Sequence, residues 1–198
     1  MTERLALISK GRRRIGYSGA IATASDATEF FSRSVMILRV TDKLSRRIGL
    51  RPMESLPLCA NPFTDWSSHL FEAGRSTYIL SMNTVTLYSV VFPARGIKGE
   101  PAFRSNMFAY LRAAMLEDGF EFHYKRLIDV ASDAVSYSKS FNRGVTGAMN
   151  DLAELASYSM EEQGRSTEET TRVLNASSFS VLGQASPRQI FRRTGFRD

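Results

Sequence analysis

Residues 138–147 combine residue types that bind anions, and they join a predicted strand to a long predicted helix. At the start of a helix, unpaired backbone N–H groups and a partial positive charge favour a negatively charged ligand. Lys139 and Arg143 add two full positive charges, and Gly144 and Gly147 have no side chain to block a close approach. The stretch therefore predicts a phosphate or carboxylate site.

A purely structural interpretation of residues 138–147 is also open. Asn142 or Ser140 can cap the helix, the glycines can allow close packing against the strand, and Lys139 and Arg143 can simply be solvated. The stretch lacks the Gly-Lys-Ser/Thr ending of a P-loop, so it does not predict nucleotide hydrolysis.

A catalytic alternative uses three other side chains. Asp65 and His69 lie four residues apart in a segment with helical spacing, so they are predicted to share one face of a helix. Asp151, about two turns into the long helix, can meet them only through the fold. Together with Lys139 and Arg143, these residues are the candidates for a small hydrolase or nuclease. Two candidate ligands on one helix are too few to predict a metal site.

The composition is that of an ordinary globular protein with an excess of positive charge. The chain has 198 residues, of which 43% are hydrophobic, and a formal net charge of +6. This charge favours an acidic partner, and the candidates are a nucleic acid or a phosphate-bearing small molecule. Residues 1–35 are predicted to form a poorly ordered basic extension because they show no periodic apolar face. Residues 36–198 are predicted to form a single domain.

The single cysteine, Cys59, excludes an internal disulfide and a cysteine-based zinc site. This cysteine usage predicts a cytoplasmic location. No apolar run approaches the roughly 20 residues of a membrane-spanning helix, so no membrane association is predicted. The sequence has no His-Glu-x-x-His or Gly-x-Ser-x-Gly pattern, and no cofactor is predicted.

The elements that position these residues are organised around a predicted hairpin at about residues 77–92. β-branched, aromatic and aliphatic residues form two short runs there, Asn83 and Thr84 suit the turn between them, and Pro93 is expected to end the second strand.

A helix is predicted to begin at Asn61 and Pro62 and to end at Gly74, because Trp66 and Leu70 repeat at helical spacing. Elsewhere, unequal helical stretches separate the predicted strands, and there is one direct hairpin. This pattern predicts an α+β fold, with a small, mainly antiparallel sheet built around the hairpin and packed by several helices.

Four segments of the chain resemble a family of uncharacterised bacterial proteins that is known only as a domain of unknown function. The segments lie at residues 36–44, 61–71, 78–93 and 138–152, the last of which contains Asn-Arg-Gly-Val-Thr-Gly-Ala-Met-Asn-Asp-Leu. The resemblance covers about residues 36–182 and implies no activity, cofactor or site residue. Residues 1–35 lie outside it.

The functional prediction is a non-enzymatic module that binds an anionic, phosphate-bearing ligand or a nucleic acid at residues 138–147. Its candidate ligand-binding residues are Lys139, Asn142, Arg143, Gly144 and Gly147. A small hydrolase or nuclease that uses Asp65, His69 and Asp151 is the alternative. A cleft lined by both groups would favour the enzyme, whereas their separation by the sheet would favour the binding module.

Overall fold

Five strands form a single sheet. They are β1 (Met36–Val40), β2 (Asp65–Ala73), β3 (Ser76–Asn83), β4 (Ser89–Pro93) and β5 (Val135–Lys139). The computed structural model describes residues 35–51 and 54–194 and orders these strands β4-β3-β2-β1-β5. Strand β1 pairs in parallel with β2 and β5, whereas β3 pairs antiparallel with β2 and β4. The α+β prediction is confirmed, but the sheet is mixed rather than mainly antiparallel.

The described residues include six α-helices. They are α1 (Asp42–Arg47), α2 (Glu100–Glu117), α3 (Glu121–His123), α4 (Arg143–Glu161), α5 (Thr167–Ala176) and α6 (Pro187–Thr194). Short 3-10 turns occur at Pro62–Thr64 and Ser180–Leu182, and a π-helical turn at Tyr124–Ile128 continues α3. None of the helices described is long and apolar enough to cross a membrane.

The sheet is the middle layer of the fold because its strands carry apolar side chains on both faces. A first core packs one face against α1, α2 and α6; it includes Met36, Leu38, Trp66, Ile79, Leu44, Phe103, Met107 and Phe191. A second core packs the other face against α4 and α5; it includes Phe71, Leu80, Met82, Val91, Met149, Leu152 and Leu174. Strands buried on both sides often read as nearly continuous apolar runs, as β1 and β4 do here.

Residues 65–73 were expected to be helical, and they instead form the central strand β2. Only Pro62–Thr64 is helical, as a single turn capped by the Asn61 side chain. A spacing of four residues puts Trp66 and Leu70 on one face of a strand as well as on one face of a helix, so the apolar pattern fits both. Pairing with β1 on one side and β3 on the other decides in favour of the strand.

The expected hairpin is present, but residues 84–88 connect its strands instead of a two-residue turn. Asn83 organises this loop, because its Oδ1 accepts hydrogen bonds from the Thr86 N–H and hydroxyl, both at 2.9 Å. Leu87 adopts a φ of 61°, and its side chain is buried in the second core. Pro93 is the last residue of β4, as predicted.

Strand β4 lies at one edge of the sheet, where polar side chains of α5 bind its backbone. Asn175 accepts a hydrogen bond from the Ser89 N–H and donates one to the Ser89 carbonyl, each at 2.8 Å. The Thr171 hydroxyl accepts a hydrogen bond from the Val91 N–H at 3.0 Å. These bonds fix α5 to the sheet and satisfy backbone groups that are otherwise buried.

The predicted basic extension, residues 1–35, lies outside the described residues apart from Val35. The last four residues, 195–198, also lie outside them.

Candidate anion-binding site

A fully buried ion pair between adjacent strands lies beneath the predicted site. Arg39 of β1 and Asp65 of β2 both have side chains that are 0% exposed. The guanidinium contacts both carboxylate oxygens, with Nε 2.8 Å from Oδ1 and Nη2 2.8 Å from Oδ2. This bidentate arrangement combines two charge-assisted hydrogen bonds with a fixed relative orientation.

The other N–H groups of Arg39 hold neighbouring segments in place. Their acceptors are the carbonyl oxygens of Leu56 and Pro57, both at 2.8 Å, and the hydroxyl of Ser138, at 3.3 Å. The Asp65 carboxylate also accepts the Cys59 N–H at 3.0 Å. A guanidinium has five N–H donors, so each donor of Arg39 has a protein acceptor. The pair is therefore a structural centre and offers no donor to a ligand.

The loop that follows β5 rests on this ion pair. The Phe141 ring covers the guanidinium of Arg39, with 4.8 Å from Cζ to the ring centroid, a cation–π geometry. At the end of β5, the Lys139 N–H donates to the Glu54 carbonyl at 3.1 Å. These two contacts fix the loop between β5 and α4.

Helix α4 starts where the sequence predicted, and of the two candidate caps, Asn142 and Ser140, Asn142 is the one that caps it. Asn142 is extended, and its Oδ1 accepts a hydrogen bond from the Val145 N–H at 2.9 Å. The cap occupies the third N–H group of the helix. The N–H groups of Arg143 and Gly144 have no hydrogen-bond partner among the described residues, as expected for the first turn.

The two glycines of the loop are not required for packing against the strand. A Cβ added to Gly144 would lie 3.4 Å from Oδ1 of Asn142, and one added to Gly147 would meet nothing within 4 Å. The structural interpretation of these residues therefore holds for the Asn142 cap but not for the glycines. Gly147 borders open space, and the one neighbour of Gly144 within 4 Å is the capping side chain of Asn142.

Lys139, the last residue of β5, and Arg143, the first residue of α4, are both exposed. Neither forms an ion pair with another residue in the described part of the chain. The site thus brings together two unneutralised cations and two backbone N–H groups without partners. This arrangement is suited to an oxyanion such as phosphate.

The three catalytic candidates lie in different environments. Both oxygens of Asp65 are occupied by Arg39, His69 lies on β2 rather than on a helix, and Asp151 is exposed on α4. No hydrogen bond or ion pair between described residues joins any two of them. Within residues 35–51 and 54–194, no group of three or more His, Cys, Asp or Glu side chains is arranged to hold a metal ion.

His69 is partly buried, and its Nδ1 atom has no hydrogen-bond partner among the described residues. Burial, and secondarily the positive charge of Lys43, lower the pKa of His69 below its usual value of 6.5. Burial also lowers the pKa of His123, the second of the two histidines in the chain. Both side chains are therefore neutral in the folded protein at pH 7.

Acidification towards about pH 5.5 is expected to lower the free energy of unfolding through these histidines. Because their folded-state pKa values are depressed, the unfolded chain binds more protons as the pH falls through 6.5, and stability is lost there. Urea denaturation at pH 7 and at about pH 5.5 measures the effect. It compares the wild type with His69→Gln and with the double variant His69→Gln/His123→Gln. The double variant should show the flattest dependence, and an unchanged dependence would contradict this assignment.

Sequence reasoning missed Arg39 and Phe141, which support the site from below. One signal was available for Arg39: it is the only charged residue in the otherwise apolar run Met36–Val40. A charge inside a buried strand requires a partner, and the partner here is Asp65. The position of Phe141 carried no comparable signal.

These features define a class: an α+β domain with a mixed sheet, whose edge strand β5 leads to a capped helix start with two exposed cations. The family described as "Domain of unknown function (DUF6933)" matches residues 37–189. The chain belongs to this family, which confirms the resemblance noted above. None of the curated proteins compared with the chain matches it.

Proposed function

We propose that this protein is a non-enzymatic module that binds an anionic, phosphate-bearing ligand or a nucleic acid at residues 138–147. One observation carries the proposal: Lys139, at the end of β5, and Arg143, at the start of α4, have exposed side chains that form no ion pair with a described residue. The N–H groups of Arg143 and Gly144 likewise have no hydrogen-bond partner among the described residues. In this role Arg143 contacts two ligand oxygens with its planar guanidinium, and Lys139 supplies a point charge.

The rigidity of the loop supports the proposal. Binding is stronger when the groups that contact a ligand do not have to be ordered first. Phe141 stacks on the buried Arg39, the Lys139 N–H is bound to Glu54, and Asn142 caps α4. The 19 residues of α4 add an aligned helix dipole with its positive end at the loop.

The hydrolase or nuclease alternative receives less support. A general base must reach the proton that it removes, and Asp65 is fully buried with its oxygens occupied. No described contact places His69 or Asp151 beside the loop. Binding without catalysis is therefore the function that this geometry supports best.

Arg143→Ala is expected to weaken the binding of phosphate-bearing compounds by about tenfold or more, since charge-assisted hydrogen bonds contribute roughly 1.5–3 kcal/mol each. Isothermal titration with a panel of pyrophosphate, nucleotides and short oligonucleotides measures the change. The free energy of unfolding should stay within about 0.5 kcal/mol of the wild type, because Arg143 is exposed.

Two variants serve as controls for this titration. Arg126→Ala removes another exposed arginine, from the segment that precedes β5 at the opposite end of that strand, and should leave binding unchanged. Asn142→Ala removes the cap and should cost about 1 kcal/mol of stability. Equal affinities for the wild type and Arg143→Ala across the panel would refute the proposed site.

A further inference from the structure

Four of the five strands run in the same direction. Strands β1, β2 and β5 are mutually parallel, and β4 is antiparallel to β3, which is itself antiparallel to β2. The carboxyl ends of β1, β2, β4 and β5 therefore meet at one edge of the sheet. We call the residues at or just after these ends, 41–47, 74–75, 94–99 and 139–143, the basic edge.

The basic edge carries a strong excess of positive charge. It contains eight exposed cations: Lys43, Arg46, Arg47, Arg75, Arg95, Lys98, Lys139 and Arg143. Asp42 is the one acidic residue in these segments. Only Lys43 forms an ion pair with a described residue, with Glu72 at 2.8 Å. The other seven form no ion pair with a described residue, and their positive fields add along this edge.

A cavity of about 400 Å³ lies within this edge, between the end of α1 and the start of α2. Arg46, Arg47 and Lys98 line it, together with the buried side chains of Ile48 and Ile97. The Arg47 guanidinium donates to the Ala94 carbonyl at 2.6 Å, which fixes its direction. The start of α2 has Gly99 as its cap residue and no side-chain cap.

We infer that the basic edge binds the sugar-phosphate backbone of a nucleic acid, with the cavity of Arg46, Arg47 and Lys98 as a phosphate contact separate from the loop at residues 138–147. The inference rests on the proposed function and specifies its ligand. Four strand spacings of about 4.8 Å separate β5 from β4, so the edge extends over roughly 19 Å. A ligand with one phosphate group cannot contact both ends, whereas a backbone with a charge every ~3.4 Å per strand can.

The same surface is poorly suited to an anionic membrane. Membrane-binding surfaces combine cations with apolar side chains that enter the lipid boundary. Seven large apolar side chains are exposed in the described part of the chain: Leu58, Val85, Leu116, Phe122, Val130, Tyr158 and Val181. None of the seven lies on the basic edge. The edge is therefore charged without being amphipathic, as a phosphate-backbone contact requires.

Fluorescence anisotropy of a labelled oligonucleotide of about 20 nucleotides, single-stranded and as a duplex, tests the inference with the full chain over a range of salt. The double variant Arg46→Ala/Lys98→Ala should lower affinity by roughly tenfold per lost contact near 0.1 M salt. It should also reduce the salt slope by about two units on duplex DNA. Arg126→Ala is the matched control, and circular dichroism checks that each variant is folded.

The outcomes separate this inference from the proposed function. If Arg143→Ala weakens binding but Arg46→Ala/Lys98→Ala binds like Arg126→Ala, the proposed site at residues 138–147 stands. The inference that the whole basic edge binds nucleic acid is then refuted. If neither variant differs from the control, or if the oligonucleotide does not bind, the nucleic-acid inference is wrong. Titration with pyrophosphate and nucleotides then shows separately whether residues 138–147 bind a phosphate-bearing ligand. Stronger binding to vesicles rich in anionic lipid than to the oligonucleotide would also overturn it.

Discussion

Replacing Arg39 with alanine is expected to reduce the free energy of unfolding by about 3–5 kcal/mol. The substitution leaves the Asp65 carboxylate fully buried without its cation, and it removes the donors to Leu56, Pro57 and Ser138. Urea denaturation at neutral pH, with the midpoint and slope compared with the wild type, measures the loss. A loss of this size is a large fraction of the stability of a typical domain.

Two comparison variants make the Arg39 result specific. Lys43→Ala disrupts the exposed pair with Glu72 and should cost less than about 1 kcal/mol. The double variant Arg39→Met/Asp65→Leu removes both charges and should be more stable than Arg39→Ala, because no buried ion is left unpaired. A wild-type midpoint for Arg39→Ala would show that the buried ion pair does not hold this part of the fold together.

Truncation of Leu87 to alanine is expected to cost about 2–5 kcal/mol, the usual range for a buried leucine. Leu87 is 5% exposed and packs in the second core, although it lies in the loop between β3 and β4 rather than in a strand. Its φ of 61° is unfavourable for every residue with a Cβ.

Glycine at position 87 gives this prediction a second, more discriminating test. At a negative φ, Gly is less stable than Ala, but at a left-handed position the order reverses by about 1 kcal/mol. Leu87→Gly should therefore be as stable as Leu87→Ala or more stable. A clearly less stable glycine variant, or an alanine variant with the wild-type midpoint, would show that residue 87 is not held as described.

The elements that were predicted correctly are those whose signals act within a few residues. Asn142, one of the two candidate caps, caps α4, and a local capping box of Ser166 and Glu169 likewise starts α5. A cap and its N–H partner lie two or three residues apart, so the sequence contains both members of the interaction. The long helix to which residues 138–147 lead and the end of β4 at Pro93 were likewise predicted from local signals.

The errors concern interactions between distant residues. The residues of β2 were predicted to form a helix, because the spacing of Trp66 and Leu70 fits a helix as well as a strand. Its identity depends on β1 and β3, and the Arg39–Asp65 pair that locks the parallel pairing joins residues 26 positions apart. Arg39 also binds Ser138, which is 99 positions away. No local pattern reports contacts at these separations.

The candidate site shows the same division. Lys139, Arg143 and the capped helix start were predicted because they occupy one continuous stretch. The other cations of the basic edge, such as Arg47 and Lys98, follow different strands, and only the strand directions bring them to one side. Neither the charge composition nor the spacing of these cations along the chain shows that the sheet brings them to the same side.

The bonds from Asn175 and Thr171 to β4 have a consequence for the behaviour of the protein at high concentration. An unprotected edge strand is a template for pairing with another chain, which leads to domain swapping or aggregation. At β4 the Ser89 and Val91 donors are already engaged by α5, so a strand from a second molecule must first displace these side chains. Sheet extension at this edge is therefore opposed by the fold itself, and a partner that docks there must recognise the side chains of α5 and not the backbone of β4.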